Sequence, residues 1–139
     1  MPSKPLLQSE FCNHDEPDWQ PLYDLIGIKL ADWFMWMCET ELEDGVRVQS
    51  FKHITTREHL HLGADGRAFE YVPRHRYREI DRRHAIDLVF DKWDELTYGP
   101  HDDDRVALVR ARQAAGPRPG ARRRRRAPQP QPDADTEAA

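Results

Sequence analysis

The sequence predicts a small α+β domain, an antiparallel β-meander of about four strands packed by a C-terminal amphipathic α-helix, between a disordered N-terminal arm and a disordered C-terminal tail. Three observations lead there. Two turn-punctuated runs rich in aromatic and alternating residues lie between Trp33 and Val72, one helical period begins at Asp81, and twelve of the thirteen aromatic residues fall between Trp19 and Tyr98. A core needs that apolar area, so the globular domain is placed at residues 19–100, a body of about 80 residues that can fold alone with little to spare.

Residues 1–18 contain Pro2, Pro5 and Pro17 and an acidic cluster at Asp15, Glu16 and Asp18, and read as a flexible acidic arm. The run Trp33–Leu42 ends at Glu43-Asp44-Gly45, and Val46–His53 then alternates apolar with polar residues. Asp-Gly between two such runs favours a two-residue turn. Placing Asp44 and Gly45 at its tip sets Glu43 opposite Val46, Glu41 opposite Val48, Cys38 opposite Phe51 and Trp36 opposite His53. Phe34, Trp36, Cys38, Leu42 and Phe51 then form the core face. So short an apolar run is ambiguous by period, and Trp33–Cys38 can equally finish a helix begun near Tyr23.

A second hairpin is expected from His59–Leu62 through Gly63-Ala64-Asp65-Gly66 to Arg67–Val72, with Leu60 and Leu62 on one face and His59 and His61 on the other. From Asp81, an N-cap, the residues Ala85, Ile86, Leu88, Val89, Phe90, Trp93 and Leu96 fall on one helical face opposite Arg83, Asp87, Asp91 and Asp94, and Gly99-Pro100 ends the helix. The segment 101–115 allows a shorter helix from Asp104 to Ala115. Beyond it, residues 116–139 hold no apolar side chain larger than alanine or proline, so nothing offsets the entropy of ordering this Arg/Pro-rich tail.

The net charge of -4 conceals strong segregation. Residues 1–46 carry 2 basic and 10 acidic side chains, 47–83 carry 9 and 5, 84–104 carry 1 and 7, 105–126 carry 9 and none, and 127–139 carry none and 3. An acidic average would argue against a polyanionic partner, but two segments are distinctly basic. The longest apolar run, Trp33–Cys38, is far short of the roughly twenty residues of a membrane span, and Met1–Glu10 carries no hydrophobic stretch long enough for a secretory signal. The expectation is a cytoplasmic protein that does not enter membranes, with Cys12 and Cys38 as reduced thiols.

Several clusters could carry chemistry. Lys52, Thr55, Thr56 and Arg57 are the group types that contact phosphate oxygens, although an ordinary polar connection explains them too. Arg74, Arg76 and Arg78 share a side if 74–78 is extended, with His75 and Tyr77 opposite, and Arg82 and Arg83 follow in the first helical turn, where positive charge opposes the macrodipole. The ordinary alternative is a solvated linker paired with nearby carboxylates. Arg122, Arg123, Arg124, Arg125 and Arg126 form an electrostatic arm.

His53, His59 and His61 are the candidate metal ligands, but solvent-facing histidines on a half-buried strand account for His59 and His61, and no metal is expected. Cys38 reads as an inert strand cysteine. No serine elbow, Walker loop or His-Glu-x-x-His helix is present, so no catalytic residue and no cofactor are assigned. The reading is a non-enzymatic accessory protein that binds nucleic acid or another polyanion through phosphate contacts. The alternative is a protein-interaction or self-associating module, and a metal-dependent enzyme around the three histidines comes third.

Overall fold

A computed structural model describes residues 4–96 and 99–117. Six strands, β1 (Leu6–Asn13), β2 (Phe34–Leu42), β3 (Arg47–His53), β4 (His59–Gly63), β5 (Ala68–Val72) and β6 (Arg76–Ile80), pair in sequence order and close into an antiparallel barrel through β1 and β6. Helix α1 (Gln20–Ala31) joins β1 to β2, and α2 (Arg82–Trp93) and α3 (Asp102–Ala115) follow the last strand. This overturns the four-strand meander packed by one C-terminal helix. The expected N-terminal arm contributes the closing strand, and Arg76–Ile80 a sixth. Closure has a plain physical reason: β1 satisfies its backbone on both sides, pairing Cys12 with Thr40 of β2 and Leu7 with Tyr77 of β6, and leaves no sheet edge. Trp33–Cys38 is resolved in favour of a strand beginning at Phe34.

The first hairpin differs from its expected register. Leu42 N–H donates to Val46 O at 2.9 Å and Gly45 N–H to Leu42 O at 2.8 Å, so the loop is the three residues Glu43-Asp44-Gly45. Gly45, at φ +88°, is the left-handed residue that ends such a loop. Thr40 therefore faces Val48 and Glu41 faces Arg47, one residue away from the two-residue-turn alignment. A bulge between Trp36 and Cys38 then shifts the register again, setting Trp36 against Phe51 and Phe34 against His53. Nothing lies within 4 Å of a Cβ built on Gly45, so Gly45→Ala meets no clash. Its cost is conformational, about 1 kcal/mol, to be read as a lowered urea midpoint with unchanged m-value.

The larger core lies outside the barrel. Phe34, Phe51, Leu60, Leu62 and Ala68 on the outer wall meet Leu22, Leu25, Ile26 and Leu30 of α1, Ile86, Val89, Phe90 and Trp93 of α2, and Leu108 and Ala111 of α3. A smaller cluster of Leu42, Val48, Phe69 and Tyr77, with Leu7 and Val46 against it, fills the barrel. The interior is therefore solid at that end, as expected of a barrel narrower than eight strands.

The α2 stripe departs from its expected phase where α3 docks. Leu88 is 46% exposed, whereas Asp87, expected on the solvent side, is 8% exposed. Asp87 accepts hydrogen bonds from Arg83 Nε at 3.2 Å and from Arg112 Nε of α3 at 2.9 Å, and Arg112 Nη2 also reaches Asp91 at 2.8 Å. Asp104 is similarly structural: its Oδ2 accepts the His101 N–H at 3.2 Å, and its Oδ1 accepts the Trp33 indole N–H at 3.2 Å.

Candidate functional site

Two polar features stand apart from the packed core, one inside the barrel and one on its wall. The inner feature follows from strand alternation. His59 and His61 of β4 point opposite to Leu60 and Leu62, as expected, but the apolar pair faces outward to the helices and the histidines face inward. Their rings stack at 5.7 Å, and His61 Nδ1 shares a 2.7 Å hydrogen bond with Ser50 Oγ. His61 also lies 5.4 Å from Tyr77, ring to ring, and Tyr71 lies 5.4 Å from the same ring. Burial, with the His59 charge adding to it, pushes the His61 imidazole down to about 3, and burial raises the Tyr77 phenol against the opposing hydrogen bonds of Thr40 and Ser50.

Beside this group, Thr40 Oγ1 lies 3.9 Å from both Cys38 Sγ and Cys12 Sγ, and Cys12 Sγ lies 3.9 Å from His14 Nε2. Burial raises the Cys38 thiol, partly offset by the Thr40 hydrogen bond. Among the described residues, Cys12, His14 and Cys38 form the group of three metal-ligating side chains whose ligand atoms all lie within 4.8 Å of one another. Along the chain Cys12 and Cys38 read as two separate reduced thiols, and His14 does not stand out. Their meeting depends on the β1–β2 pairing, which an arm assigned to 1–18 could not supply.

The three histidines considered as metal ligands do not come together. His53 is fully buried on the outer side of the wall, among Trp33, Phe34, Phe90 and Trp93, with the Trp93 ring 4.6 Å away. Its Nδ1 accepts the backbone N–H groups of Thr55 and Thr56, both at 3.1 Å, so the ring proton resides on Nε2. Burial lowers this imidazole to about 4. The same bonds organise the loop that follows β3. The Thr55 and Thr56 amides are committed to His53, Thr56 Oγ1 accepts the Glu58 N–H at 3.2 Å, Arg57 sits in the turn at φ +68°, and Lys52 belongs to the inner face opposite His59.

The outer feature is the β5–β6 hairpin. Residues 74–78 are extended only from Arg76: Arg74 (φ +75°) and His75 (φ +61°) form the turn, tied to β1 by Gln8 Nε2 bonds to the carbonyls of both and by Ser9 N–H to His75 O at 2.9 Å. Arg76 and Arg78 point away from the barrel interior, and Tyr77, on the opposite side of the strand from them, is buried inside it. Arg78 Nε lies 3.7 Å from Glu70. Arg82 bonds the Gly66 carbonyl, and Arg83 bonds Asp87 and, at 3.0 Å, the Gly116 carbonyl, so both serve the fold. Arg122 to Arg126 lie outside the described residues. No helix among the described residues is long and apolar enough to cross a membrane. Comparison with family models, with curated proteins and with solved structures finds no match to this chain.

Proposed function

We propose that the chain is a non-enzymatic polyanion-binding module that contacts the phosphates of nucleic acid through the β5–β6 hairpin, with the arginine-rich tail adding charge. One observation carries this reading: among the described residues, neither Arg74 nor Arg76 has a carboxylate within 4.0 Å, although 5 acidic residues share the segment 47–83 with them. The outer faces of β1 and β6 also contribute little to the helix-covered core, so the hairpin surface is open to an extended ligand. With Tyr77 turned inward, contact is electrostatic, made to the backbone without base stacking.

Anisotropy with a labelled oligonucleotide between about 50 and 200 mM salt tests it. Binding should weaken linearly on log-log axes, Arg74→Glu with Arg76→Glu should reduce the slope by about 2, and truncation after residue 117 should reduce it further. Salt-insensitive binding, or a slope unmoved by the hairpin variant, overturns the proposal.

A protein-interaction reading is favoured by a different surface, a shallow groove of about 440 Å³ between α1 and α3 lined by Tyr23, Ile28, Ala107, Arg110 and Ala114, beside which Ile28 is 68% exposed. It requires a discrete oligomer or a stable complex by sizing, and Ile28→Glu should abolish either.

A further inference from the structure

We infer that the open end of the barrel holds a zinc-class ion through Cys12 Sγ, Cys38 Sγ and His14 Nε2, with a fourth coordination position left for solvent or a small ligand. The strand geometry is the first argument. Along β1, Ser9 pairs with Leu42 on the inner face, and unbroken alternation would then turn Cys12 outward. A bulge between Ser9 and Phe11 reverses the phase and sets Cys12 against Thr40, whose own partner is Val48 of the inner cluster. In β2, Trp36 pairs with Phe51 of the outer core, so Cys38 would also point outward, and the bulge between Trp36 and Cys38 turns it inward against Ser50. Each bulge interrupts the ladder and re-aims the side chains that follow it. The two cysteines of this chain thus face the same space because of two separate insertions, one in each of two adjacent strands.

Distances are the second argument. A tetrahedral ion with bonds of about 2.3 Å to sulfur and about 2.0–2.1 Å to nitrogen separates its ligand atoms by roughly 3.5–3.8 Å. The observed Cys12 Sγ to His14 Nε2 distance is 3.9 Å, and no pair in the set exceeds 4.8 Å. Only a small inward adjustment is needed, and His14 lies just past the end of β1, free of ladder constraints. Two thiolates and an imidazole are a borderline-soft donor set, suited to Zn²⁺ rather than to Mg²⁺ or Ca²⁺.

The surroundings are the third argument. Thr40, 2% exposed, places its hydroxyl 3.9 Å from both sulfurs, where it acts as a positioning residue for the thiolates. Binding balances as Zn²⁺ plus two thiols giving a dithiolate complex and two protons released to solvent, with no change of oxidation state. This site does not depend on the hairpin, and either reading can fail without the other.

The test uses the full chain, reduced and metal-free under argon, titrated with Co²⁺ and then Zn²⁺. The expected result is one Co²⁺ per chain, a thiolate-to-cobalt charge-transfer band, and loss of that band on adding one equivalent of Zn²⁺. Cys12→Ser, Cys38→Ser and His14→Ala should each weaken Zn²⁺ binding by about 100-fold or more, and Thr40→Val by about 10-fold. His14→Ala keeps the test valid if a strand variant unfolds, since it lies outside the ladder. Cobalt binding without the thiolate band, a band that survives in the double cysteine variant, or a Cys12–Cys38 disulfide in the air-free protein overturns the assignment.

Discussion

Asp87→Ala should lower the unfolding free energy by about 3–5 kcal/mol, a large share of the 5–15 kcal/mol typical of a domain. Asp87 is 8% exposed, and the side chains of Arg83 and Arg112 that converge on it are only 18% and 19% exposed. Removing the carboxylate leaves two largely desolvated guanidinium groups facing each other, and that penalty exceeds whatever the intact cluster contributes by itself. Because Arg83 also holds the Gly116 carbonyl at 3.0 Å, the damage should spread to the end of α3. Urea unfolding measures the loss. Asp94→Ala, which breaks the exposed Arg105–Asp94 pair of 3.1 Å, is the control and should cost less than about 1 kcal/mol. Equal effects of the two variants would show that the buried cluster has no special weight.

Lowering the pH from 7 to 4 should destabilise the fold through its neutral histidines. His53 has an ordinary value of 6.5 and is held at about 4 by burial. Its depressed value means that below pH 6.5 the unfolded chain takes up a proton that the folded chain refuses. Stability is therefore intact above that pH and falls steadily toward pH 4, by about 3 kcal/mol for this residue alone, at 1.36 kcal/mol per pH unit. His61, pushed to about 3, adds a loss of the same sign. His53→Asn, whose amide oxygen can still accept from Thr55 and Thr56, should be less stable at pH 7 because it forfeits the aromatic contacts. Its stability should nevertheless fall less between pH 6.5 and 4. If the variant keeps the full pH slope, the acid sensitivity belongs to other groups.

Local elements were legible where one segment carries its own signal. The Leu60/Leu62 against His59/His61 alternation is the observed alternation of β4, and the helix begun after Asp81 is α2. Helix α1 carried a usable signal as well: Leu22, Leu25, Ile26 and Leu30 follow the spacing of a helical stripe and are all buried. It was obscured by Gly27, whose φ of +83° kinks the helix, and by the adjacent aromatic run, which attracts a strand or a helix equally well. The hairpin turn was located correctly but given the wrong length, because Asp-Gly serves both a two-residue loop and the last two positions of a three-residue one. That single residue matters, since a one-residue slip exchanges the faces of every side chain beyond it.

The candidate sites divide in the same way. Arg74, Arg76, Arg78 and Arg83 could be named from the chain, yet what each meets depends on the fold, which sets Glu70 beside Arg78 and the Gly116 carbonyl beside Arg83. Cys12, His14 and Cys38 meet only because β1 closes the barrel. By itself the sequence determined the local periods, the helix that follows Asp81 and the segregation of charge, all properties of a segment and its own side chains. Only the tertiary structure decided that an N-terminal stretch would close a barrel, that the apolar face of β4 would point outward to helices, and which polar groups would be buried together. Those outcomes rest on strand pairing and burial between residues far apart in the chain, where the free energy belongs to the pair and is written in neither segment alone.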